Sequence, residues 1–524
     1  MRQVSPVKLL RREISWAFVV VLSCAFTLSA QSAAQRAAAE QKTAAYFESI
    51  RKSPPQQLAF LLMMPKGGDL HNHLSGAIYA ESYIEWAAQA GLCVNNRTMA
   101  LAVPASPSQC NSEQTPANAA LTNGVLYRQM VDAWSMRNWQ LSGQSGHDHF
   151  FDAFGRFSAA TYNNNGRMLA AAVMNAARGR VLYVEFMLTP DGTPTGVASS
   201  QIGDKVGWDG NVEVTLNKLK AAGIDSAAEI GIKNLQAMEA EKNELLKCGT
   251  TQADPGCSVT IRYVAQVARN SSLGQVYAQM VTGLALANNP NSKVVAVNLV
   301  QGEDGLNSMQ NFSEHMEMLK FLRGLYPRAH VTLHAGELAP GLVPPDGLTF
   351  HIRESVMVAG AERIGHGVDL LHETMPYELL KEMARRNVMV EICLSSNDLI
   401  LGISGAQHPL ATYLEYGVPV ALATDDEGVA RSEMSVEFLK AATNQGLGYP
   451  QLKAMARNSL QYAFIDGKSL WSDARKFVPV AQCARDIEGV KTNSNACLEF
   501  LASSEKARLQ WELEQYFSEF ERSW

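Results

Sequence analysis

Short β-branched and aliphatic runs recur along the chain, and most are followed by a longer stretch whose apolar residues fall three and four positions apart. The first such run is "GGDLHNHL" (67–74), followed by "RVLYVEFML" (180–188), "SVTIRYVAQV" (258–267) and "KVVAVNLV" (293–300). The remaining four are "AHVTLHAG" (329–336), "ERIGHG" (362–367), "NVMVEICLS" (387–395) and "GVPVALATD" (417–425). From the fourth onward they sit roughly 25 to 40 residues apart, the spacing that a strand, a crossover helix and a parallel strand require. Their near-continuous apolar character fits parallel strands buried on both faces.

Eight such units predict an α/β fold, a (β/α)8 barrel of the TIM type; an open doubly wound sheet is the alternative. The expected barrel occupies 63–468, with insertions at about 91–125 and 189–258. The first insertion is a cysteine-bracketed loop rich in Pro, Ser and Asn. The second is a polar loop and a long helical run ending at Cys248. An Ala- and Gln-rich helical segment, 33–62, precedes the barrel, and a helical extension, 469–524, follows it. No internal repeat is visible.

The first 32 residues read as an export signal. Arg2, Lys8, Arg11 and Arg12 precede the apolar run Ser15–Ala30, and small residues follow in "QSAAQ". That run is short for a membrane span, although an uncleaved anchor is the alternative. Cys24 lacks the small residue two positions earlier that a lipidation site needs. The expected location is therefore outside the cytosol, periplasmic or extracellular, with no stable membrane span after cleavage. Export permits disulfides. Six of the other seven cysteines fall into local pairs, Cys93 with Cys110, Cys248 with Cys257 and Cys483 with Cys497, while Cys393 sits alone in an apolar run. Three short-loop disulfides and one buried thiol are expected, with unpaired cysteines as the alternative. A net charge of −6, with no long basic run, argues against nucleic acid as a partner. Oligomeric state is not readable.

Position is what singles out the polar residues. His71 and His73 end the first run, His334 and Glu337 the fifth, His366 the sixth, and Asp425 and Asp426 the eighth. In (β/α)8 enzymes the active site is assembled at the carboxyl ends of the strands. Three imidazoles and a carboxylate suit a borderline divalent cation such as zinc, with a position left open for water. HExxH, GxSxG, a phosphate-binding glycine loop and the HxE…PCxxC pattern are all absent. A second HxH, His147 and His149, falls in a helical region, so both are expected on a surface or pocket wall. His315, His330, His351, His372 and His408 are read as ordinary structural histidines.

Taken in order, "MPKGGDLHNHLSGA", "VLYVEF", "VQGEDG", "LHAGE", "RIGHG", "EICLSSN" with the later "HPL", and "ALATDDEG" resemble the adenosine deaminase family of zinc amidohydrolases. The matches span about residues 64 to 430. The opening "MPKGG" and the export signal are similar to the secreted, growth-factor-type members, whereas "HNHLSGA" is similar to the intracellular ones. The resemblance implies one Zn2+ per chain held by His71, His73, His334 and Asp425, and a purine nucleoside as the small-molecule partner. It implies a catalytic set of Glu337, His366 and Asp425. Glu337 would protonate purine N1, and His366 would orient the attacking water and help to deprotonate it. Gly302, Asp426, Ser75 and His73 would face the substrate, with Asp426 at N7 and the Gly302 backbone at N3.

The implied reaction is hydrolytic deamination of adenosine and 2′-deoxyadenosine. Two positions depart from the family pattern. Where the intracellular enzymes carry an acidic residue that meets the ribose 5′-hydroxyl, this chain has Ser75. That substitution keeps open a deaminase of free adenine or of a 5′-modified aminopurine nucleoside. Glu427 stands where proline is frequent, and is expected to affect loop shape more than chemistry.

Overall fold

A computed structural model of the chain describes residues 33–104, 109–489 and 494–524. The expected export segment, 1–32, lies outside the described residues. Eight parallel strands form one sheet, each hydrogen-bonded to the next in chain order. They are β1 (Gly67–His73), β2 (Val181–Leu188), β3 (Thr260–Ala268), β4 (Val294–Val300), β5 (His330–Ala335), β6 (Arg363–His366), β7 (Met389–Ile392) and β8 (Val420–Leu422). β7 is shorter than its apolar run suggests, because a helix, Leu394–Leu401, begins two residues after it ends.

The seam is what distinguishes a barrel from an open sheet. Asn72 of β1 forms a parallel bridge with Asp425, just past β8. The Asp425 N–H donates to the His71 carbonyl at 2.8 Å, and the His73 N–H donates to the Asp425 carbonyl at 3.1 Å. The chain is therefore a (β/α)8 barrel, and the doubly wound alternative falls.

Burial follows from the layered design. Every residue of β1, β6, β7 and β8 is buried, and the crossover helix Leu273–Asn288 is buried along most of its length. At the chain ends, the helices Ala33–Ser49, Pro54–Met63 and Glu505–Glu521 come together through Phe47, Phe60, Phe520 and Trp524. Arg36 and Arg457 pair with Glu514 at 2.9 and 2.7 Å, and Lys453 reaches Glu40 at 2.8 Å.

The insertions carry more structure than their composition shows. A three-stranded antiparallel sheet, Leu101–Ala102, Cys93–Asn95 and Gln114–Pro116, occupies the first. The second folds into helices Ala198–Val206, Val212–Ala221 and Asp225–Leu245. The C-terminal extension opens with a hairpin of Trp471–Asp473 and Val478–Pro479 before turning helical. Strands of two or three residues are too short to show a periodicity. Disulfides join Cys93 to Cys110, Cys248 to Cys257 and Cys483 to Cys497, and Cys393 is a buried free thiol. Among the described residues, no helix is long and apolar enough to cross a membrane.

Candidate metal centre and active site

Alternate residues of a strand share a face, so His71 and His73 project together from the end of β1. They meet His334 from β5 and Asp425 from the segment after β8, and all four are buried. The Nε2 atoms of His71 and His73 lie 3.0 and 3.2 Å from His334 Nε2. Asp425 Oδ1 stands 3.5 Å from His71 Nε2 and 3.4 Å from His73 Nε2. Donors 2.0–2.1 Å from a tetrahedral centre would stand about 3.3 Å from one another. The four atoms have that spacing.

Their partners fix which nitrogens face inward. Nδ1 of His71 donates to Glu391 Oε2 at 2.6 Å, and Nδ1 of His334 donates to Asn298 Oδ1 at 2.8 Å. Each therefore turns a bare Nε2 toward the cluster. Gln266 Nε2 lies 2.6 Å from His73 Nδ1; turning that amide over, which exchanges its oxygen and nitrogen, would let Nδ1–H donate and free the third Nε2. Three imidazoles and a carboxylate packed this closely fit a divalent metal as a donor set, and these four residues could hold one.

Electrostatics agree. Burial holds His73 down to about 4 and His334 well below the usual imidazole range. Burial opposes protonation of His71 too, yet hydrogen bonds to Asp425 and Glu391 carry it up to about 10. Without a metal, the cluster holds its positive charge on His71. Glu391 is anchored in turn by Thr332 at 2.8 Å and by the buried Arg363 guanidinium at 2.7 Å, which also grips Glu185. Ser396 donates to Asp425 Oδ2 at 2.6 Å.

Glu337 and His366 stand beside the cluster, with His366 Nε2 3.6 Å from Glu337 Oε1. Burial, reinforced by the negative charge of Asp425, raises the Glu337 carboxyl to about 8, so it holds a proton at neutral pH. Its Oε1 has no hydrogen-bond partner among the described residues. The backbone N–H groups of Gly336 and Glu337 donate to Glu303 at 3.1 and 2.8 Å, and Glu303 accepts from His351 Nδ1 at 2.6 Å.

The tautomer of His366 can be traced from a backbone amide. The Leu410 N–H donates to His408 Nδ1 at 3.1 Å, so neutral His408 donates from Nε2 to Asn397 Oδ1, also at 3.1 Å. The Asn397 amide then donates to His366 Nδ1 at 2.9 Å, which leaves the hydrogen on Nε2. Burial pushes His366 down to about 3, so the ring is neutral. In that form it can orient an oxygen by donating to it.

Asp426 is buried, its carboxyl is pushed well up by burial and by Asp425, and its Oδ1 has no hydrogen-bond partner among the described residues. A β-carbon on Gly76 would fall 1.5 Å from that oxygen, so only glycine leaves it room. Gln301, His366 and Asp425 adopt positive φ angles of 79°, 69° and 58°. Backbone strain of this kind clusters at functional sites.

The cluster opens into a cavity of about 770 Å³ lined by His73, His334, Glu337, Asp425 and Asp426. Ser75 and Gly302 line it too, so it reaches all the residues expected to face a substrate. Phe150, Phe151, Phe154 and His147 form its far wall. His147 bonds Asp304 at 3.1 Å across the cavity, while His149 is buried against the carbonyls of Asp132 and Ser135. Neither joins the metal cluster. Glu427 is buried behind the site, beside Asp69 and Glu433.

A family model described as "Adenosine deaminase" matches residues 144–471, more than half of the chain. The chain belongs to the adenosine deaminase family. Its β1 histidines lie before the matched residues, and the fold returns them to the family's strand ends at β5, β6 and β8. Residues over a 192-residue stretch are 33% identical to an adenosine deaminase of Vibrio cholerae serotype O1, covering 36% of this chain and 51% of that one. A 140-residue stretch is 36% identical to an adenosine deaminase of Escherichia coli (strain SE11), covering 26% and 39%. The chain thus spans about half the length, or less, of these curated relatives. Arabidopsis ADAL, solved in complex with IMP, shares the fold with a TM-score of 0.50 at 20% identity, over 78% of this chain and 94% of that one.

Sequence reasoning named the groups at the centre but missed those that hold them: Glu391, Asn298, Gln266, Asn397, Ser396 and Glu303. A signal existed for them: Glu391, Ser396 and Asn397 lie in "EICLSSN" and Glu303 in "VQGEDG", and Gln266 is a polar residue within an apolar run. Glu391 and Asn298 are polar residues inside apolar parallel strands, where an unpartnered polar group is costly.

Proposed function

We propose that the chain is a zinc-dependent deaminase that converts adenosine and 2′-deoxyadenosine, with water, to inosine or 2′-deoxyinosine and ammonia. One observation carries the reading. A cluster of three imidazoles and one carboxylate that could hold a metal shares a cavity with a buried carboxyl group, Glu337, whose Oε1 is left for a substrate by the described residues.

His71, His73, His334 and Asp425 would hold the ion. When bound, a zinc ion acts as a Lewis acid and brings the pKa of water from 15.7 to about 7. Attack of water oxygen at C6 of the purine drives negative charge onto N1, and Glu337 gives N1 its proton; of the two protons of the water, one leaves with the amino group as ammonia and the other returns to the Glu337 carboxylate, while C6 keeps the oxygen. His366 donates from Nε2 and fixes the direction of the incoming oxygen. A protonated Asp426 can donate to N7, a bare acceptor, which answers how two acceptors meet there. Free adenine would leave most of the 770 Å³ cavity unfilled, whereas a nucleoside extends into it. The similarity to bacterial adenosine deaminases supports the same substrate. Three disulfides support a site of action outside the cytosol.

The test is product analysis with zinc-loaded protein on adenosine, 2′-deoxyadenosine and adenine. Equimolar inosine and ammonia from adenosine are expected. Turnover of adenine in preference to both nucleosides would overturn the substrate assignment.

A further inference from the structure

A second cavity, of about 450 Å³, adjoins the first and shares two wall residues with it, Ser75 and Gln266. Those two stand between the cavities. Gln266 touches the metal ligand His73, and Ser75 follows that ligand by two positions. The far walls come from outside the minimal barrel. They are the turn at Tyr162–Asn165, the loop at Thr189–Pro194, and Leu235 and Met238 of the helix Asp225–Leu245. Asn234 secures that loop by donating to the carbonyls of Pro190 and Gly192, both at 2.9 Å.

The lining chemistry selects the occupant. No Lys, Arg, Asp or Glu lines this cavity, and three methionines do: Met168, Met187 and Met238. Thioethers are soft, adaptable surfaces for apolar groups. The larger cavity holds no Lys or Arg either, while Asp148, Asp152, Asp425 and Asp426 face into it. The helix Asn165–Arg178 begins at the rim of the second cavity. Its N-terminal partial charge of about half a unit does not balance a phosphate dianion. With the amidine carbon held at the metal cluster, a nucleoside reaches furthest through its exocyclic 5′ arm. Past Ser75 that arm meets neutral space rather than a carboxylate.

We infer that the second cavity receives an uncharged group on the 5′ carbon, so that the substrate class is 6-aminopurine nucleosides with a neutral 5′ extension. This rests on the deaminase reading above. Ser75 and Gln266, between the two cavities, are the specificity-determining pair.

The experiment compares kcat/KM of the zinc-loaded full chain for adenosine, 5′-methylthioadenosine, 5′-benzylthio-5′-deoxyadenosine and adenosine 5′-monophosphate. Thr189→Trp and Asn165→Trp, which fill the cavity from opposite walls, are run beside the native protein. The two thioethers are expected to match or exceed adenosine, and the monophosphate to fall about 100-fold or more below it. Each tryptophan is expected to lower the benzylthio-to-adenosine ratio about tenfold. Turnover of adenosine with a monophosphate that outperforms the benzylthio compound would overturn the inference and leave the deaminase reading standing. A ratio unmoved by both tryptophans would do the same. Absence of turnover on all four would take down the deaminase reading and this inference with it.

Discussion

Asp425 and His71 meet twice: the Asp425 N–H donates to the His71 carbonyl at 2.8 Å, and the Asp425 carboxylate stands 3.5 Å from His71 Nε2. The bonds that close the barrel thus come from residues that also belong to the candidate metal cluster. A metal held there would couple its binding to barrel closure through these two positions.

Removing the metal should therefore destabilise the fold as well as the reaction. An ion that binds only the folded chain adds about 2.7 kcal/mol when present at about 100 times its Kd. Chelation is expected to lower Tm by several degrees, with zinc restoring it, as read by calorimetry. An unchanged Tm in protein verified as metal-free would contradict the coupling.

Glu391 lies behind His71, held by Arg363 and Thr332. Glu391→Gln is expected to weaken metal affinity by about 10–100-fold, measured by competition with a chromophoric chelator. Wild-type affinity in this variant would show that the carboxylate does not tune its histidine.

Glu337 acts in its acid form. Since burial raises its pKa to about 8, kcat/KM is expected to fall as pH rises through that region. Glu337→Gln should lose about 10²–10⁴-fold in kcat with metal content unchanged, and should also lose the alkaline limb of the profile. A variant that keeps the limb would assign it to another group.

Asn397→Asp tests the relay from Leu410 to His366. A carboxylate there would accept from Nδ1 and move the ring hydrogen off Nε2, the wrong tautomer for orienting an oxygen. The expected result is about a 10–100-fold loss in kcat with metal content and Tm close to wild type. An increase in kcat would mean that His366 works as a base after all.

Much of this was legible in the sequence, for physical reasons. Buried parallel strands must be apolar on both faces, so "KVVAVNLV" and "RVLYVEFML" announce themselves. Chemistry at strand ends exposes His71, His73, His334, His366 and Asp425 by position alone. The supporting residues were hidden because their partners are remote in the chain: Glu391 is 320 residues from His71, and Gln266 is 193 from His73. The tautomer of His366 depends on His408, read from the sequence as an ordinary structural histidine, through Asn397, which closes "EICLSSN" but was given no role there. The second cavity was hidden for a similar reason. Its walls are assembled from strand ends, the turn at Tyr162–Asn165 and the insertion after β2, segments remote from one another in the chain.

The most direct test of the central claim is a titration of metal-free full-length protein with zinc, following deamination of adenosine by its ultraviolet change. Activity is expected to rise linearly and stop at one zinc per chain, and to be absent in His334→Ala at the same zinc concentration. Deamination by the verified metal-free protein, or silence with one zinc bound per chain, would contradict it.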